Sequence, residues 1–304
     1  MTYHGYLATH KILILVPLAY NLSPTSQAPA ALPGHAVVTL QGIDAAAFAH
    51  AQFANDVTSL AVGQWQWNAW LTPKGRVLAI FALLRTADDG IVLVLLDYPA
   101  DEFVEQLRRF VFRRKVDIGV RDAQVLGALQ APVQASGATM ARLDDGIELD
   151  YGSAAMPRTL RIVEGQATAA VDDGTWAALD LRHGLPRLSA AQRGQWTPQQ
   201  LSLDRLPAYS VKKGCYPGQE IVARTHFLGK AKRALALLEA DSAVTEGDAV
   251  GTGDTALGEI ICVRPQANRW LALAVLPLQR ETAELQAAGV ALRESALLEG
   301  LQRS

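Results

Sequence analysis

The sequence predicts an α+β fold, a body that mixes antiparallel strands with helices and ends in a small C-terminal antiparallel β-barrel. Three patterns carry this reading. Between Trp65 and Asp97 the chain alternates and then runs apolar on either side of two turn clusters, Thr72–Gly75 and Ala87–Gly90, as consecutive antiparallel strands do. Apolar residues at 103, 104, 107, 110 and 111 form a helical stripe. Beyond Gly229, short apolar runs separated by Gly/Asp turns match a small barrel.

The elements follow in chain order. "HAVVTLQGIDAAAFAHAQ" reads as a strand, a turn at Gly42–Asp44 and an Ala-rich helix with Asp44 as its N-cap. The strands of 65–97 come next, then the helical stripe from Pro99 and a strand near Val116–Val120. Residues 123–170 are strand-like and turn-rich, and "DDGTWAALDLRHGLPRL" predicts a helix that ends at Gly184–Pro186. We divide the chain into an N-terminal extension and linker (1–34), an α+β domain (35–229) and a barrel domain (230–304). The apolar run Ile12–Ala19 loosely resembles a secretory signal. Its charged part is thin, and an extra strand or an upstream start codon, followed by the Pro/Ser/Ala-rich linker Ser23–Pro33, fits it better.

Composition narrows the function. Half of the 304 residues are hydrophobic and 19% are charged, which describes a globular chain. The net charge of −2 lacks the basic excess of a duplex-binding domain, so no direct nucleic-acid partner is expected, although local basic patches stay open. No stretch reaches the roughly 20 apolar residues of a membrane span, and no membrane partner is expected. The two cysteines, Cys215 and Cys262, lie in dissimilar contexts; they form no disulfide framework and fit a reducing, cytoplasmic setting. Two cysteines are also too few for a closed four-ligand site or a thiolate-held cluster, so no metal is expected on this chain alone. Cys262 in "GEIICVRP" reads as strand core, and His183 and His226 are isolated.

The chemistry concentrates in "SVKKGCYPGQEIVART", residues 210–225. Lys212 and Lys213 precede Cys215, and positive charge favours a thiolate. Gly214 and Gly218 open backbone angles closed to other residues, and Pro217 stiffens the turn between them. A helix starting near Gly218, with Glu220 in its first turn, would place the thiol just before a helix N-terminus. A small buried residue at a tight turn is the structural alternative; the lysines and paired glycines favour the reactive reading. Lys74 and Arg76, in a hairpin turn, suit a carboxylate or phosphate, or form a solvated tip. Among Trp65, Trp67 and Trp70, one or two line a ligand cleft or all pack in the core.

"KGCYPGQEIVAR" resembles the K-G-C-[YF]-x-G-Q-E-x-x-x-R signature of the YgfZ-type folate-binding proteins, relatives of the glycine-cleavage T-protein. "LQGIDAAAFAHAQFANDVTSL" with "LTPKGR", and "GLPRL…WTPQQLSLD" with Trp196 and Thr197 replacing Phe and Ile, are similar to further family segments in the same order. The resemblance covers roughly residues 35–300. It implies two intertwined α+β subdomains and a terminal barrel around a central cleft for folate, with the cysteine loop at its rim. It further implies a tetrahydrofolate-binding accessory protein for iron–sulfur cluster assembly or repair. The implied partners are cluster-assembly proteins or cluster enzymes such as those that thiomethylate tRNA.

Carried over residue by residue, the signature places Lys213 and Cys215 as the reactive pair. Gly214, Tyr216, Gly218, Gln219, Glu220 and Arg224, with Trp70, Lys74, Arg76 and Arg182, become the expected cofactor contacts. Two departures stand out. Leu78 and Ala79 fall where the T-protein carries the Asp of aminomethyl transfer, and an aliphatic side chain cannot handle a proton. This speaks against the alternative, a folate-dependent one-carbon transferase or demethylase. Arg182 stands where the T-protein has a pterin-contacting Glu, with Asp180 where an arginine is common, so that either the pair has exchanged roles or the folate pocket is altered. The run "RRFVFRRK" (108–115) reads as a solvated helix end, with contact to an anionic partner or to the glutamyl tail of a folate as the alternatives.

Overall fold

The computed structural model describes residues 28–165, 169–229, 231–253, 255–266, 268–280 and 284–303. The apolar run Ile12–Ala19 and residues 23–27 of the expected linker lie outside the described residues.

Among the described residues there are two five-stranded sheets and a closed six-stranded barrel, and all ladder pairings between their strands are antiparallel. In chain order the body contains β1 (Ala30–Ala31), β2 (His35–Gln41), α1 (Ala45–Gln52), β3 (Trp65–Leu71), β4 (Val77–Ala87), β5 (Gly90–Leu96), α2 (Ala100–Arg108) and β6 (Asp117–Val120). There follow β7 (Ala123–Ala128), β8 (Ala141–Leu143), β9 (Gly146–Asp150), β10 (Thr159–Glu164), α3 (Thr175–Arg182) and α4 (Gln219–Phe227). The barrel is β11 (Arg233–Ala240), β12 (Ala249–Thr252), β13 (Thr255–Gln266), β14 (Arg269–Pro277), β15 (Leu285–Ala287) and β16 (Val290–Ser295). The first sheet runs β3-β4-β5-β2-β6, the second β1-β7-β10-β9-β8, and the barrel closes as β11-β14-β13-β12-β15-β16.

The continuous apolar character of β5, and the burial of Gln66 and Asn68 among the tryptophans of β3, have a packing cause. The first sheet is covered on both faces, so all seven residues of each of these strands are buried. One face packs on α1 and α2 through Phe48, Phe53, Phe81 and Phe103. The other face joins Trp65 and Trp67 to the second sheet, to Trp176 of α3 and to Leu237 and Leu273 on the barrel. The three tryptophans of β3 therefore divide, Trp65 and Trp67 to one core and Trp70 to the other. A third cluster, including Leu238, Ile260 and Leu276, fills the barrel.

Several local expectations change. Asp44 does precede α1, but its carboxylate accepts the Lys115 backbone N–H at 2.7 Å and caps no helical amide. The helical stripe breaks at Arg108, leaving Phe110 and Val111 beyond α2. Residues 30–34, assigned by sequence to the linker, are tied into the body. Ala30 and Ala31 pair with β7, Leu32 is buried in the central cluster, and the Gly34 carbonyl accepts the Asp97 N–H. Past the barrel the chain returns to the body. Leu301 is buried, the Trp67 indole donates to the Leu301 carbonyl at 2.8 Å, and Arg303 donates to the Asp150 and Gly152 carbonyls.

One apolar cluster joins body and barrel. A cleft of about 350 Å³ opens beside it, lined by Gly34, His35, Asp97, Arg187 and Arg264, none of them an expected ligand contact.

Candidate thiol-loop site

The segment before α4 folds as its residue types dictate. Tyr216–Gln219 is a type II turn: Pro217 takes its second position, Gly218 stands at φ 82°, ψ 0°, and the Gln219 N–H donates to the Tyr216 carbonyl at 3.1 Å. The Ser210 hydroxyl accepts the Lys212 and Lys213 backbone N–H groups at 3.2 and 3.3 Å. The Gln219 amide donates to the Lys213 carbonyl at 2.8 Å, and the Tyr216 hydroxyl to the Ser210 carbonyl at 3.0 Å. The outcome is a braced loop that holds Cys215 exposed at the surface. Cys262, by contrast, is buried on β13, and burial pushes its thiol up to about 11.

Lys213 has a structural task. Its ammonium donates to the His50 carbonyl and, at 2.6 Å, to the Phe53 carbonyl, at the C-terminal end of α1. A cation there answers the negative end of the helix dipole and satisfies carbonyls that have no helical partner. The ammonium also lies 4.7 Å from the centre of the Tyr216 ring. Burial lowers its pKa to about 8, against the opposing pull of Asp56. Lys213 thus fastens the thiol loop to α1, while Lys212 is left exposed beside the cysteine.

The loop also rests on the β3–β4 hairpin, far upstream in the chain. A Cβ on Gly218 would stand 2.6 Å from both the Gly75 Cα and the Thr72 carbonyl oxygen. Arg76 leaves this hairpin to donate to the Gln195 carbonyl at 2.9 Å and to Gln200 at 3.1 Å. With Arg224, Ile221, Lys232 and Arg233 it lines an open cleft of about 640 Å³ whose lining holds no carboxylate. Lys74 is exposed at the hairpin tip and Glu220 on the first turn of α4.

Other expected contacts lie elsewhere. Trp70 is only 3% exposed, edge-on to Phe103 at 5.2 Å and to Phe110 at 6.3 Å, so no ring face is free for a pterin. Tyr216 is buried as part of the loop brace. Arg182 faces the barrel, donating to Gln266 at 2.6 Å and to Glu239 at 3.3 Å. Asp180 turns inward, fully buried, and binds Arg158 at 2.7 Å and Arg187 at 2.9 Å; Arg187 continues to Asp97 at 2.6 Å. The two residues have not exchanged ligand roles; both are committed to structural ion pairs.

His50 escaped the sequence reading. Its Nε2 lies 4.0 Å from where a Cβ on Gly214 would stand, and its Nδ1 is 3.3 Å from Asp56. Burial and the Lys213 charge lower its pKa, so it is a neutral imidazole beside the thiol loop at neutral pH. Nothing in "AAAFAHAQ" signals this, because the neighbour lies 164 positions away in the chain.

For tetrahydrofolate, the donor set fits one end of the molecule. Arg76 and Arg224, in a lining free of acids, suit the glutamate carboxylates. On the pterin side, Trp70, Asp180 and Arg182 are already engaged, and no acid stands at 78 or 79.

No protein-family model matches the chain. Among curated proteins it is similar to the tRNA-modifying protein YgfZ of Aliivibrio fischeri (strain ES114), 29% identical over 267 residues that cover 80% of this chain and 82% of the relative. The YgfZ protein of Sodalis glossinidius is 30% identical over 239 residues, 70% of this chain and 72% of the relative. Among solved structures, the glycine cleavage system aminomethyltransferase T from Bartonella henselae aligns with a TM-score of 0.72 at 14% identity, covering 91% of this chain and 88% of that one. At that identity the likeness concerns the fold, an α+β body with a terminal antiparallel barrel. With relatives matched along most of both chains, and with the KGCYPGQE segment built as a braced loop presenting its cysteine, the chain belongs to the YgfZ family.

Proposed function

We propose that this chain is a tetrahydrofolate-binding accessory protein of tRNA modification, supporting iron–sulfur cluster assembly or repair through Cys215. The observation that carries the reading is the exposed thiol on a loop braced by Lys213, Gln219 and Gly218. The names of the relatives tie the family to tRNA modification. With Cys262 buried, this chain offers one reachable thiol. One thiolate can supply a single ligand to a cluster whose other ligands belong to a partner, so the cluster is cargo.

Folate would be held at its carboxylate end by Arg76 and Arg224, beside the hairpin that supports the thiol loop. When bound, a folate can carry a one-carbon unit. Leu78 and Ala79 offer no group to move the proton that aminomethyl transfer needs, which disfavours the transferase alternative. The position of Cys215 at the start of the loop–helix unit lets occupancy of the cleft by α4 bear on how the loop is presented.

The test is Cys215→Ser in cells that lack the native protein, scored by the activity of cluster-dependent tRNA thiomethylation enzymes. Reduced activity with unchanged folding is expected, and undiminished activity rejects the reading. Calorimetric titration with tetrahydrofolate checks the ligand: binding that weakens in Arg76→Ala and Arg224→Ala is expected. Absence of binding in the native protein leaves an interaction module without folate.

A further inference from the structure

The RRFVFRRK run ends α2 with an arrangement that stability does not explain. The Arg114 N–H donates to the Val111 carbonyl at 2.9 Å, closing a turn in which Phe112 stands at φ 46° and is 88% exposed. Left-handed backbone suits glycine or asparagine and penalises a bulky side chain. Burial gives nothing back, since the ring lies in water. A strained, solvated aromatic is the kind of outlier from which a function can be inferred.

The surroundings indicate what the ring meets. Phe110, 40% exposed, and Phe112 line an open groove of about 560 Å³ together with Phe48 and Gln52 of α1 and with Arg113 and Arg114. Arg108 and Arg109 are engaged, with the Ile118 carbonyl and with Glu105. Arg113, Arg114 and Lys115 are exposed and make no side-chain hydrogen bond or ion pair among the described residues. No acid lines the groove. Free cations beside open aromatic faces match a ligand that alternates negative charge with flat rings, as single-stranded nucleic acid does. An acidic peptide would use the cations and leave the ring faces idle. A lipid surface would use the rings only at the cost of desolvating this groove.

We infer that the groove between α1 and the 110–115 turn is a binding site for single-stranded RNA, with Phe112 as a base-stacking platform and Arg113, Arg114 and Lys115 on the phosphates. This departs from the expectation of no direct nucleic-acid partner, which rested on net charge and left local basic patches open. The inference goes beyond the thiol reading and does not depend on it. The two surfaces nevertheless share the C-terminal turn of α1, which Lys213 caps and Gln52 extends into the groove.

The experiment is fluorescence anisotropy of the full chain with a labelled adenosine RNA oligomer of about 12 nucleotides, within the span of single-strand sites. Three phosphate contacts should give a slope of about −2 in log K against log salt. Phe112→Asn, which relieves the backbone, should bind about tenfold more weakly with an unchanged or raised Tm. Arg113→Ala with Arg114→Ala should bring the slope to about −0.7. No binding at low salt, native-like binding by Phe112→Asn, or stronger uptake by anionic phospholipid vesicles than by RNA would overturn the inference. Cys215→Ser should bind the oligomer as the native protein does, so the two readings fail separately.

Discussion

Gly75 and Gly218 pack backbone to backbone, so closely that a Cβ on Gly218 would lie 2.6 Å from the Gly75 Cα. Both stand at positive φ, 68° and 82°. This contact joins the β3–β4 hairpin to the KGCYPGQE loop, and it explains why each motif carries a glycine at this point. Gly218→Ala should lose about 1–2 kcal/mol from the left-handed backbone alone, and more from the clash with atoms that cannot move aside. Urea denaturation checks it; a loss below about 0.5 kcal/mol, typical of neutral surface changes, would contradict the close packing.

Lys213→Met should keep the aliphatic stem and abolish the cap on α1. Hydrogen bonds from a charged donor are worth about 1.5–3 kcal/mol, and that is the expected loss. Amide exchange in the last turn of α1 should quicken with it. Unchanged exchange there would show that the lysine serves the thiol and not the helix.

Asp180 holds two buried guanidinium groups, and removing one partner of such an assembly leaves charge unpaired in the interior. Asp180→Asn should cost about 3–5 kcal/mol. The exchange Asp180→Arg with Arg182→Glu would set three cations together and bring a second carboxylate against Glu239, so it should not yield soluble protein. A soluble, stable exchange variant would overturn the structural assignment of the pair.

Thiol titration with a chromogenic disulfide should count one reactive group per native chain and two after denaturation, because Cys215 is exposed and Cys262 is 1% exposed. Cys215→Ser should abolish the native count. Two fast thiols in the native state would contradict the burial of β13.

His183 sets an acid limit. It is 1% exposed, and burial lowers its pKa to about 4. Its Nδ1 can only donate to the Leu179 carbonyl, at 2.8 Å, so Nε2 is left to accept from the Ser153 hydroxyl at 3.1 Å. A folded pKa below the unfolded value of about 6.5 means the unfolded chain takes the proton first as pH falls. The contribution of His183 should therefore be constant above about pH 6.5 and be lost between about 6.5 and 4, by up to about 3 kcal/mol. His183→Gln should lower stability at neutral pH and flatten that decline; an unaltered pH profile would reject the assignment.

What could be read in advance was whatever depends on neighbours in sequence. "YPGQ" specifies its turn because Pro217 and Gly218 fix their own backbone angles. The two-sided burial of the first sheet is written in the unbroken apolar run of β5. Side-chain partners were a different matter. "LDLR" offers no means of telling that Asp180 turns to Arg158 and Arg187 while Arg182 turns to the barrel. Charge at a position gives no direction.

By itself, then, the sequence determined the α+β body, the terminal barrel, the thiol loop and its family, since turns, periodicity and a contiguous motif are local properties. Only the tertiary structure decided that Lys213 caps a helix, that Trp70 is closed off and that His50 flanks the loop. Those outcomes depend on which surfaces meet, and contacts between residues far apart in the chain are set by the packing of whole sheets, to which no short stretch has access.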